Sequence, residues 1–291
     1  MRMANAASTS STAASASQDP PRILVFIPAY NCAPQIPRVI AQFTPDIQAL
    51  FACVAVVDNR SKDGTLDAAK DALAATLPAS KYLLIRNREN NGLGGSHKVA
   101  FNLAFDQGFT HLVVLHGDDQ GSISDLVPLI RDGSYRDVDC LLGGRFMPGS
   151  TLPGYSRTRT ALNRVCNLGF SAITLQRVWD LGAGLNMYRV EAFRDRKYLN
   201  WSNSLSFNQV ALLYSISARQ RLRFFPLTWR EADQVSNVKL GRMGVQLARN
   251  VLFYLFRRDA LLSQDDGAGA RDYGWDLIAG EALSPRAEAA A

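Results

Sequence analysis

The stretch CVAVVDNRSKDGTLDAAKDALAATL, residues 53–77, decides the class of fold. It opens with a short apolar run ending at Asp58, the pattern of a strand buried on both faces. A polar loop carrying Gly64 follows. Leu66, Ala69, Leu73 and Leu77 then recur at helical spacing, which predicts a helix with one apolar face. Asp63 and Thr65 are its candidate caps. A buried strand followed at once by an amphipathic helix is the repeating half of a parallel α/β sheet.

The same alternation continues on both sides. ILVFI (23–27), KYLLI (81–85), HLVVLH (111–116) and DCLLG (139–143) are further apolar runs of strand length. Helical patterns fill the gaps, with Leu93–Phe105 free of internal Pro and Ile123–Ile130 preceded by Ser122 as a candidate cap. The pattern predicts an α/β fold with a mostly parallel central sheet flanked by helices. Ligands in such sheets sit beyond the carboxyl ends of the strands. Those ends read PAYN (28–31), DNRSKDGT (58–65), RNRENNGLGGS (86–96), HGDDQG (116–121) and GGRFMPG (143–149). Taken together they suggest a nucleotide-phosphate site. A dinucleotide fingerprint is excluded, because the glycines are spaced G-x-G-G and follow the third run rather than the first.

Composition narrows the class. The 291 residues are 47% hydrophobic and 20% charged, enough for a sizeable core and incompatible with global disorder. Four separated cysteines with no C-x-x-C pair argue against a zinc ribbon or a thioredoxin-like site, and suit a reducing compartment. No apolar run approaches the ~20 residues of a membrane span. The net charge of +6 is uneven: residues 194–258 hold 12 Lys and Arg against 3 Asp and Glu, whereas residues 259–291 hold 2 against 7. Of the 32 basic residues 26 are Arg, which either favours a phosphate-bearing ligand or reflects genomic composition. Nothing points to nucleic acid. Residues 1–21 read as a disordered Ser/Ala/Thr tail, 22–239 as one domain, 240–262 as an amphipathic helix, and 263–291 as a loose acidic tail except around Tyr273–Ile278.

The motifs at the strand ends resemble those of glycosyltransferase family 2, in order and spacing, from about Ile23 to about Lys239. PAYN is similar to the family's P-x-Y-N, VVDNRSKDGT to V-V-D-D-G-S-x-D-G-T, NNGLGGS to N-x-G-x-G-x-A, and LHGDDQ stands where D-x-D is found. GGRF and VWDLGAGLNMYRVEAF resemble segments of the polyprenyl-phosphate sugar transferase branch, typified by dolichol-phosphate mannosyltransferase. The resemblance implies a GT-A (Rossmann-like) fold with a C-terminal helical extension. It implies an inverting transferase that moves a sugar from a nucleotide-sugar donor to a polyprenyl phosphate, assisted by Mg2+ or Mn2+. Departures occur at Cys32–Ala33, Asn59, His116 and GAGL (182–185), where the family has acidic residues or T-S-G-F.

Residue roles follow from the resemblance. Asp118 is the first metal-ligand candidate, with Gln120 beside it. His116 is either a nitrogen ligand favouring Mn2+ or a strand-end residue of structural use only. Donor contacts fall to Pro28, Tyr30, Asn31, Asp58, Gly92, Gly94, Arg230 and Lys239. Acceptor phosphate falls to Arg145, Arg159 and Asn163. Asp180 is either a general base for a hydroxyl acceptor or an orienting carboxylate beside Arg145; a phosphate acceptor needs no base. Asp118, Arg145 and Asp180 form the catalytic set. In 240–258, Met243, Leu247, Val251 and Leu255 share one side, opposite Arg242, Arg249 and Arg257, suiting either a membrane surface or the chain's own core or a dimer. The expected location is cytoplasmic, at the inner face of the membrane if that helix docks there. Two rival readings are a nucleotidyltransferase, disfavoured by PAYN after the first strand, and a nucleotide-sugar-binding relative without catalysis. The oligomeric state stays open.

Overall fold

The computed structural model describes residues 20–233, 249, 253–257 and 272–281. In chain order the elements are β1 (Ile23–Ala29), α1 (Ile36–Ala41), α2 (Pro45–Gln48), β2 (Cys53–Asp58), α3 (Thr65–Thr76), β3 (Tyr82–Asn87), α4 (Gly92–Asp106), β4 (His111–Leu115), α5 (Val127–Arg131), β5 (Cys140–Gly144), α6 (Arg157–Thr174), β6 (Leu185–Arg189), α7 (Phe207–Ser217), β7 (Leu222–Pro226) and β8 (Trp275–Gly280). The described strands form one sheet in the order β7-β5-β6-β4-β1-β2-β3-β8. Pairings β1–β2, β1–β4, β2–β3 and β5–β7 are parallel, while β6 and β8 run antiparallel to their neighbours.

Period-two alternation divides each central strand between two cores. Leu24 and Phe26 of β1 join one cluster with Val99 and Phe101 of α4, Phe170 of α6 and Leu213 of α7. Val25 and Ile27 join the other with Val39 and Ile40 of α1 and Ala69 and Leu73 of α3. Burial on both faces is why these strands read as unbroken apolar runs.

The expectation of a mostly parallel sheet needs one amendment. Antiparallel β6 lies between β4 and β5, so β5 reaches the common direction through two reversals. Neither β6 (LNMYR) nor β7 (LRFFP) is a continuous apolar run, because tertiary pairing, not local pattern, makes them strands. Gly64, not Asp63 or Thr65, occupies the α3 cap position, while Asp63 binds the amide and hydroxyl of Thr65. Ser122 makes no capping bond.

β8, which covers most of the exception at Tyr273–Ile278 and runs on to Gly280, adds antiparallel to the edge strand β3. Arg88 pairs with Asp272 and Asp276, and buried Lys98 donates to the Tyr273 hydroxyl at 3.0 Å. The amphipathic helix expected at 240–262 lies mainly outside the described residues, as do Met243, Leu247, Val251 and Lys239. Within it residues 253–256 are helical, with Tyr254 buried and Leu255 exposed, so Leu255 does not pack on the core. Among the described residues no helix is long and apolar enough to cross a membrane.

Two buried histidines carry a pH prediction. Burial pushes His97 down to about 3 and His111 to about 4. Both are neutral in the fold and titrate higher when unfolded, so their contribution is complete above about pH 6.5 and is lost as pH falls through about 4. Urea midpoints should drop steadily from pH 6.5 to 4. His111→Phe, which cannot charge, should flatten that dependence by up to roughly 3 kcal/mol; an unchanged slope would show that His111 is not the cause.

Candidate active site

Six of the eight described strands point the same way, and their carboxyl ends bring the polar loops to one edge. β6 begins at that edge, so residues 180–184 join it.

The first two loops are laced together. Asn31, at φ 50°, takes a bond from the Lys62 amide and gives its own amide to Ser61 Oγ. Asp63 accepts from the Ala33 amide, and Thr65 from the Cys32 amide. Pro28 offers its carbonyl to the Gly117 amide, and Tyr30 stands exposed at the rim. Asn59 accepts from the Asn87 amide group and the Asn91 amide and donates to Asn90, so a neutral amide knots two loops where the family pattern has a carboxylate.

Asp58 is wholly buried, accepts from the Ser61 amide and pairs with Arg86 at 3.2 Å. In this state it braces the loop instead of facing a ligand. The glycines also have a different neighbour from the one expected. Gly92 and Gly94 begin α4, and a Cβ on Gly94 would meet Ser202 O at 2.3 Å. The close approach they permit is to the chain's own 202–203 backbone, where Gly94 donates to Asn203 O at 2.9 Å.

Arg145 and Asp180 form a bidentate pair at this edge. Nε donates to Oδ2 at 2.7 Å, Nη2 to Oδ1 at 2.9 Å, and the Arg145 amide to Oδ2 at 3.0 Å. The Gly182 amide adds a fourth bond to Asp180. With four donors on its two oxygens, Asp180 is placed here as the orienting alternative has it, beside Arg145. Nη1 of Arg145 is not used among the described residues. Trp229, which sequence reading passed over, lies 5.1 Å from the guanidinium and stacks it from the ring face.

The acceptor pair separates. Arg159 points Nη1 at both oxygens of Glu231, at 2.7 and 2.8 Å, and lies over the Tyr155 ring. Asn163 turns back to the Arg159 carbonyl and to the Tyr155 hydroxyl, so the two side chains do not act as one. Glu231 was missed because nothing local links it to a helix 72 residues earlier. Arg230 is exposed, and its amide donates to Gln120 O.

β4 stops at Leu115, and the His116 ring packs against Gly184, as does the edge of Trp229. Burial pushes its imidazole down to about 4, helped by the Arg145 charge, and Nε2 is buried without a partner. Asp119, at φ 59°, is drawn away to Arg38 at 2.7 Å. Asp118 differs from Asp58, Asp119, Asp180 and Glu231: no Arg or Lys pairs with it among the described residues, and it accepts only a long 3.2 Å bond from the Gln120 amide. Burial pushes its carboxyl up to about 6. Among the described residues no cluster of three or more His, Cys, Asp or Glu is placed to hold a metal. One carboxylate with an adjacent amide suits a magnesium-type ion that takes most of its oxygens from a diphosphate and water.

Comparison with known proteins agrees with this geometry. The family model "Glycosyl transferase family 2" matches residues 24–197. The chain belongs to glycosyl transferase family 2. It is 28% identical over 173 residues to the polyprenol monophosphomannose synthase of Mycolicibacterium smegmatis, covering 58% of this chain and 62% of that protein. It is 28% identical over 173 residues to the undecaprenyl-phosphate mannosyltransferase of Micrococcus luteus, covering 60% and 68%. The chain thus spans about three fifths of the length of the first relative. Glucosyl-3-phosphoglycerate synthase from Mycobacterium tuberculosis, solved with Mn2+, UDP-glucose and phosphoglyceric acid, superposes with a TM-score of 0.59 at 16% identity, over 90% of this chain and 88% of that one. That likeness shows the GT-A fold.

The unpaired acid yields a prediction. A carboxyl raised to about 6 in the fold and near 3.9 when unfolded costs stability once pH rises above both values. Asp118→Asn should therefore be more stable than the parent at pH 7, by roughly 2–3 kcal/mol at most, and the gain should vanish below pH 4. Melting curves at the two pH values check this; a loss of stability at pH 7 would mean that Asp118 is already satisfied.

Proposed function

We propose that the chain is an inverting glycosyltransferase that moves a sugar from a nucleotide-sugar donor to a polyprenyl phosphate. The observation that carries the reading is Asp118, a half-buried strand-end acid whose carboxyl is raised to about 6 and which has no cationic partner among the described residues. Such a carboxylate is suited to a divalent cation, which when bound would stabilise the charge on a departing nucleoside diphosphate. Asp118 and Gln120 would hold it. His116 packs its ring against Gly184 and holds Nε2 buried without a partner among the described residues, so it stays the alternative nitrogen ligand.

The acceptor follows from what Asp180 does. Its oxygens are committed to Arg145 and Gly182, so a hydroxyl acceptor would find no base there. A phosphate needs none. Its oxygen attacks the sugar anomeric carbon, the bond from that carbon to the donor phosphate breaks, and the electron pair leaves with the nucleoside diphosphate. A single displacement inverts the centre. Arg145 keeps Nη1 for the incoming anion, and Asp180 fixes its fork. Arg159 supplies a second contact once Glu231 yields. The relatives named as polyprenol and undecaprenyl-phosphate enzymes support the lipid acceptor.

Glu231 makes the test two-sided. Arg159→Ala should raise the acceptor KM about ten- to hundredfold and leave the donor KM unchanged. Glu231→Gln removes the competing carboxylate and should lower the acceptor KM. Steady-state kinetics with a prenyl phosphate measure both; an acceptor KM indifferent to Arg159→Ala would contradict the assignment.

The cation is tested separately by calorimetry. Nucleoside diphosphate affinity should rise with Mn2+ in the parent and lose that dependence in Asp118→Asn. Equal Mn2+ dependence in both proteins would move the metal elsewhere.

A further inference from the structure

α6 buries Phe170 in the core but turns most of its other large apolar residues outward. Its inward side carries Asn167, buried and bonded to Trp179 O at 2.7 Å, and half-buried Asn163. Its outward side carries Leu162, Val165 and Leu168, which are 59%, 67% and 62% exposed, and Leu175 just past its end is 90% exposed. Ala161, Gly169 and Ala172 lie exposed among them, so no polar side chain interrupts the middle of the stripe. Scattered exposed apolar residues need no explanation, but a continuous stripe on one helix does.

Apart from Arg159, which Glu231 neutralises, the charges of this segment are Arg157, Arg164 and Arg177, none with an acidic partner among the described residues. From Arg157 to Trp179 the sequence holds Arg157, Arg159, Arg164 and Arg177 and no Asp or Glu. Arg164 and Arg177 also line a groove of about 450 Å3 beside the helix, together with Phe146, Leu168 and Trp179. The Arg177 guanidinium lies 4.1 Å over the Trp179 ring. Apolar residues flanked by Arg, with a Trp at the margin, form the pattern of a helix lying in a bilayer interface.

We infer that the outward face of α6 rests on a membrane bearing anionic lipids and so carries the active site to its lipid acceptor. The inference depends on the lipid-phosphate reading for its purpose, though not for the surface itself. Charge complementarity selects the occupant. A second copy in a two-fold pair would set this Arg-rich face against itself, whereas phosphate headgroups neutralise it. Continuity agrees: Arg159 sits one turn before Leu162 on the same helix, so a phosphate at Arg159 would lie at headgroup depth with the stripe in the acyl region.

The test uses the full chain and vesicles of phosphatidylcholine with or without an equal share of phosphatidylglycerol. Co-sedimentation should show at least tenfold tighter binding to the anionic vesicles. L162Q/V165Q/L168Q should lose at least tenfold of that binding, while transfer to a short, water-soluble prenyl phosphate stays within twofold of the parent. As a check that does not depend on the triple variant, bromine-labelled lipids should quench tryptophan fluorescence of the parent and quench Trp179→Phe much less. Unchanged vesicle binding in the triple variant, or quenching unaffected by Trp179→Phe, overturns the inference. So does a parent dimer that the substitutions split while neither protein binds vesicles. If no prenyl phosphate accepts sugar but vesicle binding still depends on the stripe, the proposed function fails and this surface stands.

Discussion

The arrangement at the sheet edge depends on how its acids are neutralised. Asp58 has Arg86, Asp119 has Arg38, Asp180 has Arg145, and Glu231 has Arg159. Each pair ties segments that are distant in sequence, so the loops are fixed by the same contacts that cancel their charge. Buried or half-buried carboxylates left unpaired are costly, and this edge leaves Asp118 so among the described residues. Asp118 is held in a low-dielectric position with a raised proton affinity and an amide for a neighbour. An arrangement built for stability alone would have paired it too. That isolation is the feature on which the proposed cation site rests.

Strand direction makes this partition possible. Parallel β1, β2 and β4 deliver Asn31, Asp58 and Asp118 to one side, and β5 delivers Arg145 beside them. Antiparallel β6 starts where the others end, which sets Asp180 opposite Arg145 across a bidentate contact. β7 then leads the chain back past Trp229 to Glu231. Arg159 and its partner therefore meet only when the whole sheet is assembled. The same helix that offers Arg159 inward turns an apolar face outward, linking the chemistry to the surface on which a lipid acceptor would arrive.

Much of the fold was legible in the sequence, because β1 to β5 are buried on both faces and read as apolar runs of strand length. β6 and β7 were not, since Asn186 and Arg223 interrupt their runs and pairing alone defines them. β8 falls largely on Tyr273–Ile278, the part excepted from the loose acidic tail, but its pairing with β3 and the upstream partners Arg88 and Lys98 were not legible. At the site, the motif order gave the residues and the spatial pairings gave their uses. Asp118 stands at the strand end without a cationic partner among the described residues, and its metal role is a proposal. Asp58, Gly92 and Gly94 proved to hold loops together, and Asp180 to hold Arg145. No local pattern could have shown that Asn163 bends back to its own helix or that Glu231 occupies Arg159.

The central claim is that phosphate, not a hydroxyl, receives the sugar. The most direct measurement is product analysis after incubating the chain with a polyprenyl phosphate, a panel of nucleotide sugars and Mn2+. Mass spectrometry should find a glycosyl polyprenyl phosphate, formed one for one with nucleoside diphosphate, with inverted anomeric configuration and with formation stopped by a chelator. Nucleoside diphosphate released while the lipid stays unmodified and sugar appears on a hydroxyl would contradict the account.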